Sequence, residues 1–198
     1  VTGTLQEGTV TAGQEVMLYP RERLVKIRGI QSHGKREEAA AAGQRTALNL
    51  QGIKKEEIRR GDVLAYPGSL VRSILADVKL SVFQTSGREL KSGDRVHFNY
   101  GSAQAIAKAV LLDAERIGPG ESAYAQLRFD EPIVLKRDDR FIIRFLSPVE
   151  TFGGGIVLDA APVRHKRGES QALEALKVKE RGTEPEVLEL MVRETSWQ

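Results

Sequence analysis

Three short stretches decide the fold of this chain. Residues 1–16 read VTGTLQEGTVTAGQEV, residues 42–50 read AGQRTALNL, and residues 58–64 read IRRGDVL. Each stretch joins a short β-forming run to a glycine, the residue that most easily adopts the backbone of a tight reversal. Short strands separated by such turns are typical of a small closed β-barrel. The pattern predicts an all-β domain over residues 1–68.

A second set of strands follows over residues 69–161. The longest runs are ILADVKLSVF at 74–83 and the closing FIIRF at 141–145. Turn residues separate the runs, as in SGD at 92–94 and PGES at 119–122. Strands at nearly even spacing with turn chemistry between them predict a second barrel.

Residues 162–198 have a different character. A basic linker, RHKRG, leads into a helical pattern over Glu169–Arg181, which Gly182 ends. Thr183 and Glu186 have the spacing of a capping box for a second helix, which we expect to end near Trp197. We interpret this short helical extension as the start of a further helical domain. A helical tail packed on the barrels is the alternative.

Composition limits the classes of function. The chain has 198 residues and a net charge of +3, which permits binding to a phosphate backbone without requiring it. It contains no cysteine, so disulfides and thiolate chemistry are excluded. No apolar run has the length of a membrane span, and the first residues lack the pattern of a signal peptide. We therefore expect a cytoplasmic protein with no membrane partner.

Several motifs together resemble translational GTPases of the elongation factor Tu type. The runs Val1–Thr4, Gly43–Arg45 and Arg60–Leu64 are similar in order and spacing to domain two of that family. In the second region, residues 119–127 (PGESAYAQL) and 147–159 (SPVETFGGGIVLD) are similar to domain three of the selenocysteine-specific elongation factors. Ordinary elongation factor Tu has a different closing glycine-rich segment.

The resemblance implies a fragment of a factor that delivers selenocysteinyl-tRNA to the ribosome. Its barrels would bind the aminoacyl end and the T stem of the tRNA. GTP and Mg²⁺ would bind a G domain that precedes Val1 and is absent from this chain, so we expect no enzyme activity and no cofactor for these residues. Winged-helix domains would follow the second barrel, and the tail matches the family in position only.

Arg45 is the residue for which the resemblance implies a specific role. In the family, an arginine at this place in the Gly-Gln-Arg run helps to line the pocket for the selenocysteinyl group. A selenolate is anionic where a serine hydroxyl is neutral, so a fixed guanidinium can distinguish the two by charge. The family's other pocket residues, one acidic and one basic, would lie upstream of Val1. A strand arginine that extends into solvent is the simpler interpretation.

Other basic residues are candidates for contacts with tRNA. In related factors the stretch that contains Lys54, Lys55, Arg59 and Arg60 lies near the aminoacyl end, although alternating Lys and Glu also describes a solvated face. In the second barrel, exposed basic residues of the family contact the T stem, and the candidates here are Arg88, Lys91 and Arg95. No motif selects among them.

Two features invite a catalytic interpretation that the residues do not support. Gly153–Gly155 lacks the Gly-Lys-Ser/Thr ending of a phosphate-binding loop, so a turn or a close backbone approach is the better interpretation. His33, His97 and His165 have neither metal-ligand spacing nor the companions of a catalytic triad.

Three alternatives remain open from the residues. The nearest is domains two and three of another translational GTPase, such as elongation factor Tu or an initiation factor relative, without selectivity for selenocysteine. The second is the barrel domain of a flavin or nicotinamide reductase. The third is an interaction module that docks a partner through its tail helices.

Overall fold

The structure is a computed structural model that describes residues 1–195, so the expected helix end near Trp197 lies outside the described residues. The chain divides between Leu70 and Val71 into two compact units. The all-β class predicted from the sequence is confirmed. Within the described residues, no helix is both long and apolar enough to span a membrane.

The first unit consists of short antiparallel strands around a small apolar core. Val16, Val25, Ile27 and Ile30 are almost completely buried in that core. The strands are β1 (Thr2–Thr4), β2 (Thr9–Thr11), β3 (Glu15–Tyr19), β4 (Arg23–Ser32), β5 (Lys35–Glu37), β6 (Ala39–Ala41), β7 (Arg45–Gln51) and β8 (Val63–Ala65). The charged stretch before β8 contains one 3-10 turn, Lys55–Glu57.

Hydrogen bonding in the first unit takes a more open form than the closed barrel expected from the sequence. The main sheet has the order β1-β7-β4-β3-β8, with β5 paired to β4, while β2 and β6 form a separate ribbon. The strands β1 and β8 are therefore edges of the main sheet among the residues described. The ribbon packs on this sheet through the half-buried Val10 and the buried Ala40. Side-chain packing, rather than strand hydrogen bonds, therefore joins the ribbon to the main sheet.

The second unit contains the closed barrel. Six of its strands form a ring in the order β11-β12-β14-β9-β16-β15, and β10 and β13 pair separately. The strands are β9 (Arg72–Val82), β10 (Leu90–Lys91), β11 (Arg95–Tyr100), β12 (Ala103–Leu111), β13 (Arg116–Ile117), β14 (Ser122–Val134), β15 (Arg140–Phe145) and β16 (Thr151–Asp159). Inward side chains fill the ring, and Phe98 lies 5.1 Å from Phe129 and 4.9 Å from Phe141 between ring centroids.

The glycine run of β16 is a place of close backbone approach. Gly155 lies opposite Leu80 of β9, and a methyl group added to it would overlap the carbonyl oxygen of Lys79. The same group would stand 2.8 Å from Cζ of Phe141. Only a residue without a side chain fits this position, which confirms the packing interpretation of the glycine run.

Two helices follow the barrel, α1 (Ser170–Arg181) and α2 (Glu184–Thr195). Leu176 of α1 is buried against Leu112, Tyr124 and Leu158 on the outside of the barrel. The predicted box between the helices is present in part, because the backbone N–H of Thr183 donates to the Glu186 carboxylate at 2.7 Å. The first helix of the tail is thus packed on the second barrel.

Candidate nucleic-acid interface

A groove on the first unit is a candidate binding surface. It has a volume of about 650 Å³. Its floor is apolar, with Leu48 and Leu50 of β7 and the half-buried Ile53 and Ile58 beyond them. Backbone and amide groups of Gln31 and Asn49 add hydrogen-bonding capacity. An apolar floor with a few polar groups suits a flat, partly polar ligand such as a nucleobase.

The charge of this groove is of one sign. Its lining contains Arg28, Arg36 and Lys55 and no acidic side chain among the residues described. All three side chains are exposed, and within residues 1–195 none of them forms an ion pair. Unpaired cations around an apolar floor favour an anionic ligand such as a nucleotide phosphate.

Arg45 lies beside the groove. It opens β7 opposite Thr4 of β1, and it is exposed. Because side chains alternate along a strand, Arg45 shares a face with Ala47 and Asn49, whereas Leu48 and Leu50 of the groove floor lie on the other face. Its guanidinium has no ion-pair partner within residues 1–195. Arg45 is therefore an exposed cation on the strand that contributes to the groove, and it is not part of the groove lining.

The other basic candidates of the first unit have different surroundings. Lys55 lines the groove, whereas Lys54, Arg59 and Arg60 are exposed outside its lining. The backbone N–H of Lys54 donates to Glu57 at 2.8 Å, which fixes the 3-10 turn that presents Lys55.

A row of basic residues crosses the outer face of the second unit. Arg95 of β11 lies opposite Lys108 of β12, and Lys108 lies opposite Arg128 of β14. Directly opposite side chains stand about 5 Å apart at Cβ, and like charges in such pairs are destabilising. We call these three residues the basic row. A polyanion placed across the row would remove the repulsion, so the arrangement favours binding of a phosphate backbone.

The electrostatics of the row are uneven. Arg95 forms an exposed ion pair with Asp130, while Lys108 forms none within residues 1–195. Burial and the nearby charge of Arg164 lower the pKa of Arg128, and Asp77 opposes that shift. The lowered pKa thus results first from burial, and the guanidinium of Arg128 also donates to the carbonyl of His165, so Arg95 and Lys108 are the exposed cations of the row.

Arg88 and Lys91 lie outside the row and have partners of their own. The guanidinium carbon of Arg88 is 3.8 Å from the ring centroid of Phe145, and the amine of Lys91 is 3.3 Å from Glu89. Exposed pairs of this kind contribute little to stability, so these contacts leave both residues accessible to RNA. Their role, like that of Arg45, stays a prediction.

Sequence reasoning missed four of the basic residues that the fold brings together, Arg28, Arg36, Lys108 and Arg128. Apolar and basic residues alternate in β4, so Arg28 faces outward. No local signal could place it beside Lys55, since strand pairing decides that neighbourhood. The row of the second unit also depends on register across three strands.

Comparisons with known proteins point to one family. Residues 1–65 match the model of elongation factor Tu domain 2, and residues 77–164 match that of the selenocysteine-specific elongation factor, beta-barrel domain. A selenocysteine-specific elongation factor of Desulfomicrobium baculatum is 38% identical over 194 residues, which cover 98% of this chain and 30% of the relative. The chain belongs to the selenocysteine-specific elongation factor family. The preference for this family over ordinary elongation factor Tu, drawn from residues 147–159, is thereby confirmed.

Further members of the family agree with this. The selenocysteine-specific elongation factor of Escherichia coli is 30% identical over 183 residues, covering 89% of this chain and 27% of the relative. A solved bacterial selenocysteine-specific elongation factor matches 96% of this chain and 30% of its own with a TM-score of 0.78, at 24% identity. The apo factor of Methanococcus maripaludis has a TM-score of 0.72 at 24% identity, over 82% of this chain and 40% of its own. The chain thus spans about 30% of the length of its curated relatives.

Proposed function

We propose that this chain is the tRNA-binding region of a factor that delivers selenocysteinyl-tRNA to the ribosome. The first unit binds the aminoacylated 3′ end, and the second unit binds the T stem. The groove with Arg28, Arg36 and Lys55 over an apolar floor is the observation that carries the proposal. It offers a surface for a base and cations for its phosphates, and the exposed Arg45 of the same strand is the cation proposed for the attached amino acid.

The basic row supports the second half of the proposal. Double-helical RNA is recognised mainly through its backbone, and a line of cations across adjacent strands matches a line of phosphates.

In the same proposal, nucleotide binding is assigned to other domains of the factor. GTP and Mg²⁺ bind a G domain, and winged-helix domains are further partners within the protein. These barrels require no cofactor and perform no catalysis of their own. A cytoplasmic location follows from delivery to the ribosome.

The end-binding part can be tested with an RNA hairpin that contains the acceptor and T stems and a single-stranded 3′ end. We expect Lys55→Ala and removal of the 3′-terminal nucleotide each to weaken binding about tenfold. Because both changes remove the same contact, the doubly altered complex should lose much less than the product of the two losses. Fluorescence anisotropy measures all four complexes.

Arg21→Ala provides the control for this cycle. Arg21 is a cation of the same unit outside the groove, 3.3 Å from Asp62, and its loss should leave the affinity within twofold. If the loss of affinity in the doubly altered complex equals the product of the two single losses, the 3′ end does not bind beside Lys55 in the groove.

The role of Arg45 is tested by the amino acid on the hairpin. We expect the chain to prefer a selenocysteinyl hairpin to a seryl one, and Arg45→Ala to reduce this preference roughly fivefold through loss of the charge interaction. Competition binding under reducing conditions measures the ratio. If the wild type and the variant show the same preference, Arg45 does not contact the amino acid. RNA binding by the groove would not be contradicted by that result.

A further inference from the structure

The segment that joins the second barrel to α1 is held on the barrel by an unusual set of bonds. We call residues 163–168 the strap. Gln126, which is completely buried, donates to the carbonyl of Val163 at 2.9 Å, and Arg128 donates to the carbonyl of His165 at 3.0 Å. The N–H of Gly168 donates to the carbonyl of Leu112 at 2.9 Å. Side chains of one strand, β14, thus satisfy much of the strap's backbone.

One titratable pair lies at the centre of these bonds. Nε2 of His165 is 2.8 Å from a carboxylate oxygen of Asp77, whose side chain is 1% exposed, while the imidazole is 14% exposed. The other oxygen of Asp77 accepts from Gln126 at 3.0 Å, so the carboxylate, the amide and the imidazole form one connected network. A buried carboxylate without a charged partner would be costly, and His165 is the cation in contact with it.

Charged groups from every surrounding element face the pair. Glu169, at the start of α1, has a carboxylate oxygen 4.0 Å from Nδ1 of His165. The charged residues around the pair are Asp77 on β9, Arg128 on β14, Asp159 at the end of β16, Arg164 on the strap, Glu169 at the helix start and Lys179 on α1. Lys179 is itself 2.6 Å from Asp159 and 2.8 Å from Glu194 of α2, so the network continues into both helices.

We propose that the His165–Asp77 pair is a proton-dependent latch, which holds the strap, and through it α1, on the second barrel. When His165 is protonated, an ion pair closes the strap over Asp77. When His165 loses its proton, the buried carboxylate faces a neutral ring and the strap opens more often. Protonation of His165 thus controls how rigidly α1 is attached to the second barrel.

The directions of the pKa shifts agree with this geometry. The hydrogen bond to Asp77 raises the pKa of His165, although burial opposes it. Burial raises the pKa of Asp77 in spite of its bond to His165. The pair therefore retains protons to higher pH than the separate side chains do. Because the pKa of His165 is raised on folding, its stabilisation is fully present below about pH 6.5 and is lost as pH rises through the folded pKa.

The test follows amide exchange in the full chain from pH 6 to pH 9, corrected for the intrinsic exchange rate. We expect the protection of Gly168 in the wild type to fall about tenfold over this range, while that of Leu80 in the barrel stays constant. In His165→Gln, which keeps a hydrogen-bond donor but cannot titrate, the protection of Gly168 should not change with pH. His97→Gln removes a histidine of the same barrel outside the strap and should behave as the wild type.

Nuclear magnetic resonance titration of the imidazole gives a second, independent measurement. The midpoint for the His165 imidazole should lie above 6.5, and the shift should be lost in Asp77→Asn. A midpoint at or below 6.5 would overturn the latch. The same pH profile in the wild type and His165→Gln would also overturn it, as would a parallel loss of protection at Leu80.

Discussion

Replacement of Gly155 by alanine is expected to destabilise the second unit by at least about 3 kcal/mol, the upper end of the usual cost of overpacking. The added methyl group would overlap the carbonyl oxygen of Lys79, which is backbone and cannot rotate away. Lys79 lies in β9, which pairs with β14 on one side and β16 on the other, so the strand has no free direction in which to move. Urea unfolding followed by circular dichroism measures the loss, and a fall in Tm of roughly 10 °C should accompany it.

Gly87→Ala is the matched control in the same unit. A methyl group at Gly87 meets no atom within 4 Å, and its backbone lies outside the left-handed region. We expect a change of less than about 0.5 kcal/mol there. If both variants were equally stable, the close approach of β16 to β9 would be refuted.

The double charge reversal Arg95→Glu with Lys108→Glu is expected to weaken binding of the acceptor–T-stem hairpin about 100-fold at low salt. Each lost phosphate contact also lowers the dependence of log affinity on log salt concentration by about one, so the slope should fall by about two. Affinities at several salt concentrations give both quantities. An unchanged slope would show that RNA does not bind across the basic row.

A second double variant tests whether the loss of affinity depends on the basic row itself or only on the net charge of the chain. Lys177→Glu with Arg193→Glu makes the same charge change at exposed positions of α1 and α2, where each cation is 2.6 Å from a carboxylate of its own helix. We expect less than a fivefold loss of affinity, because only the long-range field changes. Equal losses in the two double variants would assign the effect to net charge and remove the basic row from the interface.

The sequence predicted strands well where local chemistry decides them. The run at 141–145 was expected as a strand, and β15 (Arg140–Phe145) extends it by only one residue. The helix that ends at Arg181 was also evident, because its apolar residues have helical spacing and Gly182 follows it. The run Lys35–Glu37 has little local strand preference, yet it forms strand β5 because it pairs with β4.

The candidate interface was less accessible to sequence reasoning. Lys55 was named for its place in a charged stretch, but Arg28 joins it only because β4 lies beside β7. His165 was set aside for lack of a companion, and its companion Asp77 is 88 positions away in the chain. Such contacts depend on register and on tertiary packing, which no local pattern encodes.

Closure of the second barrel also has a consequence for its synthesis. The strand β9 leaves the ribosome first among the six, yet both of its neighbours, β14 and β16, come much later in the chain. Translation of the roughly 75 residues from the end of β9 to the end of β16 takes about 4 to 15 s at ordinary elongation rates. During that interval an apolar strand has both hydrogen-bonding edges open, which is the state most exposed to mispairing with another chain. A factor of protein synthesis thus contains a ring that can close only after its own last strand has been translated.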